Sequence, residues 1–155
     1  MRRKHRIERK YEPDLIYYSP LVTRFINYLM KDGKKTVAQK VFYEAMEEVK
    51  KQTNQDPFNV FNLAIQNVSP EMEVKTRRVG GANYQVPQPV PEHRKLILAF
   101  RWIIEASRGK KGMPMAKRLA DELILASKNE GNAIRKKLDT HRMAEANRAF
   151  AHFAK

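Results

Sequence analysis

Chemistry in this chain begins with its cations. Lysine and arginine number 31 against 17 aspartates and glutamates, a formal net charge of +14 over 155 residues. They fall in short clusters: Arg2, Arg3, Lys4, Arg6, Arg9 and Lys10; Lys34-Lys35; Lys75, Arg77 and Arg78; Arg94-Lys95 with Arg101 and Arg108; and Lys110-Lys111. Residues 52–73 carry no Lys or Arg at all, so the charge is not spread evenly. Clustered ammonium and guanidinium groups neutralise successive phosphates and release counterions, each contact adding about 0.7–0.9 to the slope of log affinity against log salt. A polyanionic partner, nucleic acid, is the implication.

Covalent chemistry finds no comparable constellation. His5, His93, His141 and His152 show no metal-ligand spacing, and the chain has no cysteine, so neither a thiolate metal site nor a cysteine nucleophile can be built. No Gly-x-Ser-x-Gly elbow and no dinucleotide fingerprint occurs. The GKKT stretch at Gly33–Thr36 is not the end of a phosphate-binding loop, because Tyr28 stands where the first glycine belongs. Glu47, Glu48, Asp121 and Glu122 read as surface charges. The expectation is a protein with no catalytic residue, cofactor, metal or small-molecule substrate.

One stretch has strand character. In Glu71–Val90, EMEVKTRRVGGANYQVPQPV, two β-suited runs at about 74–79 and 82–87 flank Gly80-Gly81, a pair suited to a tight turn with positive φ at both central residues. A turn there sets Val79 opposite Ala82, Arg77 opposite Tyr84, Lys75 opposite Val86, Arg78 opposite Asn83 and Thr76 opposite Gln85. Neither face is cleanly apolar, so the ribbon is expected to protrude with its faces unburied. Pro87, Pro89 and Pro91 are expected to stop the second strand.

The elements that must carry these groups are helical. Ser19-Pro20 caps a helix whose Leu21, Val22, Phe25, Ile26, Leu29 and Met30 form one stripe, with Gly33 as its expected end. A second helix, about 36–52, turns Val37, Ala38, Val41, Phe42, Ala45, Met46 and Val49 inward and pairs Lys40 with Glu44 and Glu47 with Lys51 outside. A third opens at Asp56-Pro57 and stops at Pro70. A fourth, about 92–107, buries Leu96, Phe100, Ile103 and Ile104, with Trp102 as a packing residue and Arg94, Arg101 and Arg108 as a cationic stripe. A fifth starts from Pro114 and is closed by Gly131. The last begins near Asn132; Ile134 and Leu138 share one apolar face, while Met143, Ala146, Phe150 and Phe153 lie partly round from it, as in a helix that leaves the body and packs on something else. The fold class is mainly α, a six-helix body with one β-hairpin, in a single domain 1–155 with a basic extension at 1–18 and the hairpin arm at 71–90. No apolar run reaches membrane-spanning length and the N-terminus lacks a signal-like apolar core. The expected setting is the cytoplasm, or an organelle that makes the protein internally.

Three stretches carry a resemblance. SPLVTRFINYLMKDGKKTVAQKVFYEA (Ser19 to Ala45), RRVGGANYQVP (Arg77 to Pro87) and HRMAEANRAFAHF (His141 to Phe153) closely resemble small-subunit ribosomal protein seven of the bacterial and chloroplast type, and the match runs through the chain in order. The resemblance implies a primary rRNA-binding protein that nucleates assembly of the 3′ major domain, the head of the small subunit, in the cytoplasm or the chloroplast stroma. Carried over by position, it implies rRNA contact by Arg2, Arg3, Lys4, Lys34, Lys35, Lys75, Arg77, Arg78, Arg94, Lys95, Arg101 and Met115. It also implies that the hairpin tip, with Gly80, Gly81, Asn83 and Tyr84, lies near the exit-site tRNA and the departing mRNA. Arg148, Phe150 and Phe153 would then face a neighbouring subunit protein, ribosomal protein eleven. On the residues alone two alternatives stay open: a nucleic-acid regulator that inserts its ribbon into a DNA groove, and an RNA-processing enzyme.

Overall fold

The computed structural model describes residues 11–154, so the expected contacts of Arg2, Arg3 and Lys4 fall outside the described residues. In chain order the elements are α1 (Pro20–Leu29), α2 (Lys35–Thr53), α3 (Pro57–Val68), β1 (Met72–Val79), β2 (Ala82–Pro89), α4 (Glu92–Gly109), α5 (Met115–Ser127) and α6 (Asn132–Ala146), followed by a 3-10 helix at Arg148–Ala154. The fold is mainly α with one antiparallel hairpin, as the periodicities predict.

The core forms where the apolar stripes meet. Phe25 of α1, Phe42 of α2, Phe61 of α3 and Phe100 of α4 are fully buried. Their rings touch edge to face, with centroids 5.2 Å apart for Phe25–Phe61, 5.3 Å for Phe25–Phe100 and 5.4 Å for Phe42–Phe61. This arrangement brings the positive edge of one ring to the negative face of another. Burying each such side chain contributes about 1.5–3 kcal/mol. Helix α5 is the central element, packed against α2, α3, α4 and α6 and presenting Leu119 and Leu123 to the core. Trp102 is buried in the same cluster, as expected.

Helix ends follow local chemistry. Ser19 Oγ accepts from the Leu21 amide at 3.3 Å and Asp56 Oδ1 from the Phe58 amide at 3.2 Å, each with proline at the first helical position. Helix α1 stops at Leu29 rather than at Gly33: Met30 already leaves the helical region with ψ 137°, and Asp32 (φ 54°) and Gly33 (φ 72°) then turn left-handed in the loop. Helix α4 runs on to Gly109, and α5 ends at Ser127; Gly131 does not close α5 but stands at the N-cap of α6 with φ 93°. Val37, in the first turn of α2, is exposed rather than inward and lines an open groove beside Leu29. Leu138 is exposed too, because α6 leaves the core after Ala133 and Ile134 and runs out to the hairpin. Lys40 meets Glu44 at 3.9 Å, whereas among the described residues no Glu47–Lys51 pair forms.

The hairpin register is the predicted one, from Val79↔Ala82 through Arg77↔Tyr84 and Lys75↔Val86, but the ladder is longer and continues to Met72↔Pro89. The prolines do not stop it. The closing pair Val79–Ala82 makes the even positions of β2, and then Val90, the donors into the ladder, and the Val90 amide does donate to Glu71 O at 2.9 Å. Pro87 and Pro89 therefore occupy the alternate positions, whose N–H would point away from β1. The faces are also not uniformly exposed: Glu73, Val86 and Pro87 are buried at the base, while residues from Lys75 to Asn83 stay in solvent.

Candidate nucleic-acid interface

The hairpin base is held by a carboxylate that the sequence does not flag. Glu73 is 6% exposed. Arg94 Nε donates to both of its oxygens, at 2.8 and 2.7 Å, and Lys75 Nζ lies 3.2 Å from it. Strand β1 is thereby tied to the first turn of α4, and two of the expected RNA-binding cations converge on an internal anion. Both keep substantial exposure, so each can still present its outer edge to a phosphate.

Further out, the ribbon is clasped by the chain's own C-terminus. Tyr84 packs on Phe150 and Phe153 with centroids 5.2 and 5.1 Å away, and the two phenylalanines lie 6.4 Å apart. The Arg77 guanidinium, cross-strand from Tyr84, donates to the carbonyl of Phe153. The helix that departs from the body thus packs on its own hairpin. Arg148 lines a groove of about 420 Å³ with Met72, Pro87, His141 and Ala144. The imidazole Nε2 of His141 accepts the Glu71 amide at 3.1 Å. Burial, and then the Lys137 ammonium, hold His141 below its ordinary pKa of 6.5, with Glu71 opposing them. Arg78, Gly80, Gly81 and Asn83 remain exposed at the tip, where Gly80 (φ 58°) and Gly81 (φ 90°) adopt the two positive φ angles of the turn.

A second group forms at the α1–α2 junction. Met115, at the start of α5, shares a groove of about 320 Å³ with Leu29, Lys31, Lys34, Val37 and Arg108. Arg108 Nη2 donates to Leu29 O at 3.0 Å and so caps the carbonyl end of α1. Lys34 and Lys35 are exposed at the opening of α2. Elsewhere Lys95 pairs with Glu92 at 2.5 Å, and Arg101 is exposed with no hydrogen bond or ion pair among the described residues. The stripe Arg94–Arg101–Arg108 is therefore split: its ends brace the fold and its middle faces solvent.

Lys110 is also engaged internally. Its Nζ lies 3.0 Å from Oε2 of Glu122, which is fully buried, and this contact is an ion pair rather than a directed hydrogen bond. Glu122 Oε1 accepts the Ala133 amide at 2.9 Å and so caps α6. Glu122 is thus not a surface charge. The sequence does hold a signal for it, since α6 begins at Gly131-Asn132 and its N-cap residue has no side chain to offer its amides. Glu73 and Asp14, both buried, left no comparable pattern. Among the described residues no three His, Asp or Glu side chains lie together as metal ligands would, and no helix is long and apolar enough to cross a membrane.

The exposed cations Lys34, Lys35, Arg78 and Arg101 offer positive charge to a polyanion. Comparison with known proteins then decides the lineage. The family model for ribosomal protein S7p/S5e matches residues 1–148. The chain belongs to this family. It is 57% identical over 153 residues to small ribosomal subunit protein uS7 of Thermosipho africanus and 54% identical over 153 residues to that of Thermotoga maritima, with 99% of each chain covered in both cases. The uS7 of Natranaerobius thermophilus is 55% identical over 146 residues, covering 94% of both chains. The family match takes in the body and hairpin, while most of the 3-10 helix that clasps Tyr84 lies past its last matched residue.

Proposed function

We propose that this chain is a structural, non-catalytic component of the small ribosomal subunit that binds rRNA of the head domain and nucleates its assembly. The observation that carries this reading is the family match over residues 1–148, joined to relatives named as small-subunit proteins along nearly their whole length. The charge of +14 and the exposed Lys34, Lys35, Arg78 and Arg101 support it, because folded RNA is recognised largely through phosphate geometry and shape. On this reading the whole chain acts as one unit, with Lys75, Arg77, Arg94, Lys95 and Met115 completing the rRNA contact and Arg2, Arg3 and Lys4 adding to it. Gly80, Gly81, Asn83 and Tyr84 extend toward exit-site tRNA and mRNA. Arg148, Phe150 and Phe153 stand toward ribosomal protein eleven, and the site of action is the ribosome of the cytoplasm or of a chloroplast.

Sucrose-gradient fractionation tests the core of the proposal: the protein is expected in the small-subunit peak, and its absence there would sink it. Replacing Arg77 and Arg78 with alanine should weaken binding to head-domain rRNA by about 1–3 kcal/mol, the range for lost charge-assisted contacts. Shortening only the Gly80-Gly81 tip should leave incorporation intact and disturb tRNA or mRNA passage. Loss of incorporation on tip removal would overturn that division of labour.

A further inference from the structure

The segment that links the basic N-terminus to α1 shows large apolar side chains to solvent. Leu15 is 82% exposed, Ile16 58% and Tyr18 81%. Their display is enforced. Asp14, itself buried, accepts the Ile16 and Tyr17 amides on Oδ2, both at 3.1 Å, and the Tyr43 hydroxyl on Oδ1 at 2.6 Å. Its carbonyl accepts the Tyr18 amide at 2.9 Å. Tyr17 points the other way, stacked on Phe58 at 5.8 Å and edge-on to Phe42 at 6.3 Å. Tyr18 itself sits at φ 49°, a left-handed conformation that an aromatic L-residue adopts at a cost of about 1–2 kcal/mol. The fold thus stabilises a strained turn that turns one tyrosine inward and holds three apolar side chains outward. Strain of this kind persists where the surroundings over-determine it, and it gathers at binding sites.

We propose that Leu15, Ile16 and Tyr18 form a stacking knuckle for unpaired bases of the bound RNA, with Tyr18 supplying the ring face. This rests on the rRNA-binding reading above and deepens it. Charge selects RNA as the occupant. Six of the nine residues at 2–10 are Lys or Arg, a few positions before Leu15 in the sequence, and Lys35 shares a depression of about 220 Å³ with Leu15. Two carboxylates, Glu12 and Asp14, also line that depression; Asp14 has both oxygens occupied by internal donors. Exposed rings hold splayed nucleotides with sequence-tolerant affinity, while cations elsewhere on the same protein follow the backbone.

The test is filter binding of the full-length protein to transcribed head-domain rRNA at several salt concentrations, using wild type, Tyr18→Asn and Tyr18→Phe. Asparagine tolerates the left-handed conformation, so Tyr18→Asn should melt no lower than wild type. It is expected to lose about 5- to 150-fold in affinity with the salt slope unchanged, since stacking releases no counterions. Tyr18→Phe, which keeps the ring, should bind like wild type. Wild-type affinity in Tyr18→Asn would overturn the knuckle while leaving rRNA binding intact. Failure of the wild type itself to bind would overturn the underlying reading. Unchanged rRNA affinity with loss of a neighbouring protein from reconstituted subunits would make the occupant a protein and overturn the proposal.

Discussion

Glu122 shows how much one side chain can do when it is removed from water. Its two oxygens answer two separate needs, the Ala133 amide at the start of α6 and the Lys110 ammonium. Truncation leaves an unsatisfied donor and a half-buried cation without a counter-charge. Glu122→Ala is therefore expected to destabilise the fold by about 3–5 kcal/mol, the usual effect of breaking a buried pair from one side, as read from the denaturant midpoint. Glu122→Gln, which keeps the acceptor for Ala133, should lose less; equal losses would mean that the cap contributes nothing. His141 makes the opposite kind of contact, as a neutral acceptor. Its pKa lies below 6.5 in the fold, so an unfolded chain binds the proton more readily, and the stability it contributes is present above about 6.5 and lost as pH falls through the folded value. A proton on Nε2 also ends its acceptance of the Glu71 amide. The imidazole should titrate by NMR below 6.5, with a lower protection factor for the Glu71 amide on the acid side; a midpoint at or above 6.5 would refute this.

At the scale of elements, the hairpin is an anchored lever and not a free ribbon. Glu73 and Arg94 fix its base, and the Tyr84–Phe150–Phe153 cluster with Arg77 holds its middle. Replacing Phe150 and Phe153 with alanine together is expected to release the 3-10 helix, seen as rapid proteolysis after Ala146, while the melting of the body changes little, since the core phenylalanines are remote from the clasp. Unaltered proteolysis would show that the rings do not hold the tail. The helices were legible because stripes such as Val22, Phe25, Ile26 and Leu29 repeat at helical spacing, and the hairpin because Gly80-Gly81 fixes its register. The base of the hairpin was not. Burial of Glu73 depends on Arg94, distant in sequence, and no local pattern announces a long-range ion pair. The tail's docking on Tyr84 was hidden for the same reason: a periodic face says that something covers it and not what does. The prolines misled because their effect depends on which side of the strand they fall.

Over the whole molecule the cations divide into two populations. Arg94, Arg108, Lys95 and Lys110 are joined to groups of the protein itself, whereas Lys34, Arg78 and Arg101 face outward. Substituting any of the outward set with alanine should reduce the salt slope of rRNA binding by about 0.7–0.9 per site with little effect on melting. Arg108→Ala should lower the melting temperature first, because the Leu29 carbonyl loses its donor. A similar slope loss for Arg108 and no stability loss would erase the distinction.

The central position of α5 has a consequence in time. Helices α1 to α4 are complete by Gly109, yet the helix that α2, α3 and α4 all pack against begins at Met115. A chain emerging N-terminus first must therefore carry several apolar stripes without their shared partner until roughly four-fifths of it has been made. The core cannot be completed until α5 arrives, and until then the growing chain is the form most exposed to wrong association.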